Sequence, residues 1–350
     1  MSLEEFLAEW HNDSPYVCVH TSGSTGNPKP LLVEKHRMEA SAHITCNFLG
    51  LKEGDTALLC LPLDYIAGKM MVVRALTCGL QLISVEPSSH PIAAANFSLF
   101  TIHSSLSFAA MVPLQVWNSL QVPEERKRLM QIKHLIIGGG AIDEKLERKL
   151  KDFPNAVWST YGMTETLSHI ALRRLNGPEV SEWYTPFEGV SVSLNEDHCL
   201  VIDAPAVHDG PLVTNDIAEL LPSHLSPLPS PFSPLTSHPS FRILGRKDNV
   251  ICSGGIKIQA EEVERLLRPH LNAPFCITRI KDVRLGEAVV LLTERQDAES
   301  LRPLCEQILP RLWNPRYFCS INKIPLTETG KIARREAEEL LKSAIVYEKK

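Results

Sequence analysis

The sequence contains no C-x-x-C pair, although it has nine cysteines, and its 13 histidines form no cluster with zinc-ligand spacing. We therefore expect the cysteines to be reduced, buried apolar residues rather than disulfides or metal ligands. The sequence also lacks an excess of positive charge, since its formal net charge is -5. A chain of this charge has no electrostatic drive towards nucleic acid or anionic lipid, so neither is expected as a partner.

No apolar run is long enough to cross a bilayer. The most apolar region, residues 65 to 85, is interrupted by Lys69 and Arg74. The first residues, MSLEEFLAEWHNDS, are acidic and have neither the basic start nor the apolar core of a signal peptide. These absences predict a cytoplasmic protein without membrane insertion.

The length of 350 residues, 44% of them hydrophobic, allows one large and one smaller domain. Between residues 16 and 163, short apolar runs alternate with longer segments that can form amphipathic helices, of which 143 to 151 is the clearest. This alternation favours parallel strands with crossover helices, a layered α/β domain. The runs are YVCVH (16–20), ALLCLPL (57–63), QLISVE (81–86), LFTIHSS (99–105), HLIIG (134–138) and AVWST (156–160).

The segment LPSHLSPLPSPFSPLTSHPS, residues 221 to 240, is so rich in Pro and Ser that neither helix nor sheet can continue through it, and its role stays open. We place the domain boundary after residue 245, so that the domains are 1–245 and 246–350. The second domain should begin its first helix near Ala260 and form a small α+β unit. Its predicted strands are APFCITRI, EAVVLLTE and YFCSINKI, with helices near 298–309 and 333–343.

The strongest local motif is TSGSTGNPKP, residues 21 to 30, which follows a predicted strand. Backbone N–H groups and hydroxyls of such a loop can converge on phosphate oxygens. The spacing differs from the Walker pattern G-x-x-x-x-G-K-[ST]. Taken alone, the motif is equally compatible with a solvated turn.

Four further motifs follow in order: STYGMTET (159–166), TND (214–216), LGRKDNVICSGG (244–255) and PLTETGK (325–331). Together, from about residue 16 to residue 340, the chain resembles the acyl- and aryl-CoA synthetases of the adenylate-forming superfamily. The resemblance implies the adenylate-forming enzyme fold and an AMP-forming acid–thiol ligase. Such an enzyme uses ATP, Mg²⁺ and coenzyme A, and makes an acyl-adenylate before the thioester.

The resemblance also implies roles for individual residues. Thr164 would donate a hydrogen bond to the α-phosphate, and Glu165 would be the magnesium ligand, in keeping with hydroxyl and carboxylate chemistry. Tyr161 would stack on adenine, and its structural alternative is a core tyrosine beside a strand-end turn. The residues implied in nucleotide binding are Thr21, Ser22, Gly23, Ser24, Thr25, Gly26, Lys29, Gly139, Gly140, Tyr161, Asp216 and Arg246.

The TND and LGRKD segments match the ribose-binding and interdomain positions of the family. Asp216 would accept from both ribose hydroxyls, although Asn215 stands where the family usually has Gly. Arg246 would contact ribose or phosphate, and Asp248 would be the hinge; a solvated charged loop is the alternative. Gly254 and Gly255 would line the CoA channel, where missing side chains permit close approach.

Lys331 follows P-x-x-x-x-G, the family's setting for the adenylation lysine. The reaction brings an anionic carboxylate to an anionic phosphorus centre, and a flexible cation offsets that repulsion. Lysines near a chain end are otherwise usually solvated. Thr164, Glu165 and Lys331 are thus the expected catalytic residues.

The acyl substrate is indicated by PLDYIAGKMMVVRAL, residues 62 to 76. Tyr65 replaces the family's usual His beside the acyl group, and Gly138 would lie at a strand end against it. In the o-succinylbenzoate ligases of menaquinone biosynthesis the same helix carries an arginine that corresponds to Arg74, suited to a second carboxylate. The chain is most similar to a short ligase of that kind. A surface arginine is the alternative for Arg74.

Relatives carry well over a hundred residues before the phosphate loop, whereas this chain has about twenty. The resemblance therefore implies a large domain that is N-terminally truncated relative to the family. Two other functions stay open at this point: a different aryl- or acyl-CoA ligase, and a catalytically silent nucleotide-binding homologue. The sequence does not decide whether the chain forms a homodimer.

Overall fold

The computed structural model describes residues 1–20, 30–94, 106–140, 142, 144–221, 239–327 and 332–348, with side chains to residue 341. The chain divides into two compact units. The first comprises residues 1–193, 201–212 and 220–242, and the second comprises residues 194–200, 213–219 and 243–350. The boundary that the sequence predicts after residue 245 ignores the two short segments, because a linear pattern cannot show that distant stretches share a unit.

A seven-stranded sheet forms the centre of the first unit, in the order β4-β3-β5-β6-β7-β8-β9. Its strands are β3 (Thr56–Leu59), β4 (Gln81–Ser84), β5 (Phe108–Met111), β6 (His134–Ile137), β7 (Ala156–Gly162), β8 (His169–Arg174) and β9 (Thr185–Pro186). The pairs from β4 to β7 are parallel, and β8 and β9 are antiparallel to their neighbours. The parallel strands β3 and β5 are buried throughout, as expected for a sheet covered on both faces.

Helices connect and cover these strands: α1 (Leu3–His11), α2 (Lys35–Leu49), α3 (Ile66–Cys78), α4 (Pro91–Ala94), α5 (Pro113–Gln121), α6 (Pro123–Gln131) and α7 (Glu144–Leu150). Local sequence explains where several begin and end. Ser2 and Glu5 form a reciprocal capping box at the start of α1. Helices α2 and α3 each end at a left-handed glycine, Gly50 and Gly79.

Two smaller sheets follow different orders. Strand β1 (Tyr16–His20) pairs with β2 (Pro30–Glu34), and another sheet has the order β10-β11-β12-β13. The strands of the latter are β10 (Ser191–Leu194), β11 (Cys199–Asp203), β12 (Leu212–Leu221) and β13 (Ser240–Arg246).

The second unit contains a five-stranded sheet in the order β15-β14-β17-β16, with β18 paired parallel to β17. Its elements are β14 (Val250–Ser253), β15 (Ile256–Gln259), α8 (Ala260–Leu267), β16 (Phe275–Asp282), β17 (Gly286–Thr293), α9 (Arg302–Ile308), β18 (Tyr317–Ser320) and α10 (Arg334–Glu348). A core that includes Ile258, Val263 and Leu291 packs α8 onto this sheet. The α/β first domain and α+β second domain predicted from the sequence are confirmed.

Three details of the sequence interpretation are wrong or untested. The run 16–20 is a strand but lies outside the parallel sheet, because it pairs antiparallel with β2. Strand β5 was missed. The predicted strand at 99–105 and most of the Pro/Ser segment fall outside the described residues.

The burial that the sequence predicts for the cysteines holds for only five of the nine. Cys18, Cys78 and Cys319 are half-buried, and Cys252 is exposed on β14. No group of three metal-ligating side chains occurs in the part of the chain that the structure describes. None of the described helices is both long and apolar enough to cross a bilayer.

Candidate active site

The carboxyl ends of β5, β6 and β7 meet at one edge of the seven-stranded sheet. Ile137, the last residue of β6, lies opposite Met111 of β5 and Ser159 of β7, so the predicted glycines 138–140 leave the sheet there. A side chain on Gly138 would overlap the Thr160 hydroxyl. The carboxyl edge of a parallel sheet is the usual place for ligands in open α/β folds.

A tight turn follows β7 and carries Met163 to Thr166, the last four residues of the YGMTET motif. Thr166 holds this turn, because its hydroxyl accepts from the backbone N–H of Met163 at 3.0 Å and donates to backbone oxygens of the same turn. Strand β8 then returns antiparallel, with His169 opposite Gly162. A side chain on Gly162 would overlap the backbone of Ser168 and His169, so only glycine permits this approach.

Three of the predicted nucleotide and metal residues, Tyr161, Thr164 and Glu165, lie on or beside this turn. Thr164 is buried, with 7% of its surface exposed, and Glu165 is exposed. The Tyr161 ring lies against Phe241 and Tyr184, with centroids 5.1 and 5.8 Å away. Tyr161 thus belongs to an aromatic cluster that restricts its orientation.

Tyr65 lies where the chain leaves β1 for the glycine-rich loop. It precedes the first residue of α3 and forms a parallel bridge with His20, the last residue of β1. The buried Lys69 reinforces this junction, since its Nζ donates to the Cys18 carbonyl at 2.7 Å and pairs with Glu9 at 3.3 Å. The predicted acyl-binding residue is therefore a neighbour of His20, the last described residue before the predicted phosphate loop.

Arg74 projects from α3 towards the YGMTET turn and is only 2% exposed. Its Nη2 donates to the Ser168 hydroxyl at 2.6 Å, and Nη1 lies 3.9 Å from the Met71 sulfur. Among the described residues, its Nε has no hydrogen-bond partner and no carboxylate lies within ion-pair distance. Burial lowers the pKa of Arg74 to about 10, although the Cys46 and Cys78 thiols oppose this shift. The surface alternative considered for Arg74 is therefore wrong.

The sequence motifs did not identify Gly162, Ser168 and His169 as residues of the site. Ser168 and His169 follow the recognised motif directly, so their position was a usable signal. The hydrogen bond between Ser168 and Arg74, which are 94 positions apart, was not visible in any local pattern.

The second unit carries its own cluster of predicted residues. Arg246, at the end of β13, places Nη1 3.4 Å from Asp216 and Nη2 3.3 Å from Asp248. Asn215 also donates to Asp248, at 3.4 Å. The residue that departs from the family pattern therefore contacts the proposed hinge.

Gly254 and Gly255 form the two-residue turn between β14 and β15, in which Ser253 pairs with Ile256. Their φ angles are +58° and +82°. Positive values at both central positions are those of a type I′ turn, which glycine adopts without strain. The backbone requirement is established for these two residues, whereas their CoA contact remains a prediction.

Several predicted site residues lie outside the described residues. They are Thr21, Ser22, Gly23, Ser24, Thr25, Gly26, Lys29 and Lys331. The structure does describe both ends of the loop that contains Lys331, because Leu326 bridges Ile332 and the Ala333 N–H donates to Pro325 at 2.9 Å.

A comparison with protein families matches residues 4–198 to the model described as AMP-binding enzyme. This match covers more than half of the chain, including the sheet edge and the turn after β7. The chain belongs to the AMP-binding enzyme family.

Solved structures support the same assignment for this AMP-binding enzyme. An acyl-CoA synthetase (AMP-forming)/AMP-acid ligase II-like protein from Dyadobacter fermentans DSM 18053 is 31% identical, with a TM-score of 0.61. The comparison covers 96% of this chain and 93% of that one. The o-succinylbenzoate CoA synthetase from Bacillus subtilis, solved with an acyl-adenylate, has a TM-score of 0.73 at 20% identity, covering 92% and 68%. The latter likeness shows the fold.

Curated relatives include the 2-succinylbenzoate–CoA ligase of Geobacillus sp. (strain WCH70), which is 23% identical over 96% of this chain and 71% of that protein. The corresponding ligase of Bacillus thuringiensis subsp. konkukian (strain 97-27) is 24% identical over 92% and 69%. Family and relatives together establish the coarse activity: this enzyme is an adenylate-forming acid–CoA ligase.

Proposed function

We propose that this enzyme is a 2-succinylbenzoate–CoA ligase of menaquinone biosynthesis. It would join 2-succinylbenzoate to coenzyme A at the expense of ATP, with AMP and pyrophosphate as the other products. The main support for this substrate is Arg74, which is buried and whose guanidinium faces no carboxylate in the described parts of the chain. The names of the curated relatives support the same substrate.

A buried charge without a counterion costs several kcal/mol, which a bound anion of suitable shape would offset. The guanidinium can form two parallel hydrogen bonds with a carboxylate, and the Ser168 contact uses only Nη2. Nε, which has no partner among the described residues, would donate to such a carboxylate. An acid with a second, non-reacting carboxylate therefore fits Arg74 better than a simple aryl or fatty acid does.

In the first half-reaction, the reacting carboxylate oxygen would attack the α-phosphorus of ATP, and the bond from that phosphorus to pyrophosphate would break. Thr164 would donate to the α-phosphate, Tyr161 would stack on adenine, and Asp216 would accept from the ribose hydroxyls. Lys331 would lie between the two anionic groups. Positioning and charge compensation supply most of the catalysis in reactions of this type.

Magnesium would be held by Glu165 together with the phosphates of ATP. The exposed carboxylate fits this task, since Mg²⁺ is usually bound by one or two carboxylates plus substrate phosphates rather than by a complete protein cage. When bound, the ion would neutralise charge on the phosphates.

In the second half-reaction, the CoA sulfur would attack the acyl carbon and AMP would leave. The side-chain-free turn at Gly254 and Gly255 would admit the pantetheine arm. Relatives of this type use one small domain for both half-reactions, and Asp248 would be the hinge about which it turns.

The proposal is tested by replacing Arg74 with Met, a side chain of similar length without charge. We expect kcat/KM for 2-succinylbenzoate to fall about 100-fold or more, because a charge-assisted bidentate pair is lost. The same variant should change the activity on benzoate, which has no second carboxylate, by less than about threefold. Coupled assays of pyrophosphate release with both acids measure this difference.

Lys69→Met is the matched control for stability, since Lys69 is equally buried on the same helix but has partners. Removing a partnered cation should cost about 2 kcal/mol in urea unfolding, whereas Arg74→Met should be neutral or stabilising. Equal losses on both acids for Arg74→Met would contradict the substrate assignment. A wild-type enzyme that releases no pyrophosphate with any acid would instead indicate a silent homologue.

A further inference from the structure

Arg74 lies at one end of a line of hydrogen bonds within the first unit, and the other end of this line is in helix α2. The Ser168 hydroxyl, which accepts from Arg74, lies 3.1 Å from Nδ1 of His169. The other ring nitrogen of His169, Nε2, lies 3.1 Å from the Thr45 hydroxyl. Thr45 in turn donates to the backbone carbonyl of Ser41 at 3.1 Å.

The direction of every bond follows from the ends of this line. Arginine can only donate, so Ser168 accepts from it and has its own proton free for Nδ1 of His169. A neutral imidazole that accepts at Nδ1 carries its proton on Nε2, which then donates to Thr45. Thr45 keeps its proton for the Ser41 carbonyl. This arrangement leaves no hydroxyl proton unused, whereas the opposite tautomer would leave the Ser168 proton without an acceptor in the line.

The surroundings favour the neutral ring. His169 is 8% exposed and lies against Phe187, with ring centroids 5.5 Å apart. Burial, followed by the nearby Arg74 charge, holds the pKa of His169 well below its usual value. The ring also borders a small, mostly apolar pocket that is partly open to solvent.

We propose that Ser168, His169 and Thr45 form a positioning relay that fixes the direction of Arg74 and thereby sets the preference for acids with a second carboxylate. The inference rests on the proposed function of Arg74. The relay holds Nη2 on Ser168, so that the remaining N–H groups of the guanidinium keep one orientation for the ligand. Fixing a long, flexible side chain before binding lowers the entropy that binding must offset.

Selectivity between 2-succinylbenzoate and benzoate tests the relay. Ser168→Ala should lower kcat/KM for 2-succinylbenzoate about 10-fold to 100-fold and change that for benzoate less than about threefold. Thr45→Val, which removes only the far end, should give a smaller selective loss of about threefold to tenfold. Ser168→Thr, which keeps the hydroxyl, should restore most of the selectivity. Ser41→Ala is the matched control, because the relay uses only the carbonyl of Ser41.

The tautomer of His169 provides a second measurement that does not depend on the substrate. Nitrogen-15 NMR of histidine-labelled enzyme, assigned with His169→Gln, should show a neutral ring protonated at Nε2 from pH 5.5 to 8. Thr45→Val should shift that resonance while Ser41→Ala leaves it in place. A ring protonated at Nδ1, or a charged ring, would overturn the relay.

The two measurements separate the relay from the proposed function. If Arg74→Met abolishes the preference while Ser168→Ala and Thr45→Val retain it, the relay is wrong and the function stands. If the wild-type enzyme shows no preference for 2-succinylbenzoate, the proposed function and the specificity role both fail, and the NMR result then decides only whether the hydrogen-bonded line exists.

Discussion

At the scale of single residues, two buried cations on the same helix have opposite surroundings. Lys69 is held by a carbonyl, by Glu9 and by the Phe6 ring, whose centroid lies 5.1 Å from Nζ. Arg74, one and a half turns further on, has a hydroxyl and a thioether but no counterion among the described residues. Removal of Lys69 would leave Glu9 without its cation, whereas a bound anion would supply the counterion that Arg74 lacks.

The buried His134 is expected to make the stability of the folded protein depend on pH. Both of its ring nitrogens are buried without a partner among the described residues, and burial, then Lys133 and Arg174, lowers its pKa from 6.5 to about 4. Below about pH 6.5 the unfolded chain therefore binds a proton at this histidine, whereas the folded protein binds it only near pH 4. The free energy of unfolding falls as the pH drops from 6.5 towards 4, and it keeps its full value above pH 6.5.

We expect the wild-type protein to lose about 1 to 2 kcal/mol more than His134→Gln between pH 7.5 and pH 5, allowing for partial exposure of the ring. Urea unfolding at both pH values measures this difference. Since both proteins retain His169, that residue cancels in the comparison. Parallel pH dependences would show that His134 is not the cause.

At the scale of elements, the strand–turn–strand unit around residues 156–174 depends on one close approach. Gly162 lies against the backbone of Ser168 and His169, and Thr166 holds the turn between them. The turn places Thr164 and Ser168 on one short segment. A displacement of this turn would therefore move both Thr164 and Ser168, the residue that accepts from Arg74.

Gly162→Ala should cost about 3 kcal/mol of stability, because its new methyl group meets backbone atoms that cannot rotate away. Gly210→Ala is the matched control: its φ is +68°, but the space around it is open, so only about 1 kcal/mol of backbone strain is expected. ATP–pyrophosphate exchange should fall with Gly162→Ala alone. Normal exchange in that variant would show that the turn tolerates displacement.

Sequence patterns predicted which segments form strands and helices better than they predicted which segments pair with each other. Runs such as residues 134–138 were recognised because a covered parallel strand is apolar throughout. The strand 16–20 is also rich in apolar residues, yet it pairs with β2, since composition does not specify a neighbour. The relay could not be predicted for the same reason, because it joins α2, α3 and a turn that are far apart in sequence. The glycine turn at 254–255 was recognisable because its backbone requirement is local.

At the scale of the whole molecule, the proposed reaction asks one small domain to serve two half-reactions. Delivery of Lys331 and admission of CoA at Gly254 and Gly255 would occur in turn. Both segments belong to the second compact unit, as does Asp248. Hinges of this kind absorb their motion in a few backbone dihedral angles.

Asp248→Pro should separate the half-reactions. Proline fixes φ near −65° and restricts the preceding residue, here Lys247 in a short 3₁₀ helix. If the adenylating orientation is trapped, pyrophosphate exchange should persist while thioester formation from isolated acyl-adenylate and CoA falls by about 100-fold or more. Asp248→Ala is the control for loss of the carboxylate. Wild-type rates of both half-reactions in the proline variant would exclude domain alternation about this residue.

We propose that this enzyme makes 2-succinylbenzoyl-CoA. The proposal is tested most directly by supplying purified protein with ATP, Mg²⁺, CoA and a panel of carboxylic acids, and quantifying the CoA thioesters and AMP by mass spectrometry. We predict equal amounts of 2-succinylbenzoyl-CoA and AMP, with kcat/KM for 2-succinylbenzoate at least about 100-fold above that for benzoate or a fatty acid, in line with a charge-assisted pair to Arg74. A faster reaction with an acid that has one carboxylate, or ATP turnover without any thioester, would contradict the account.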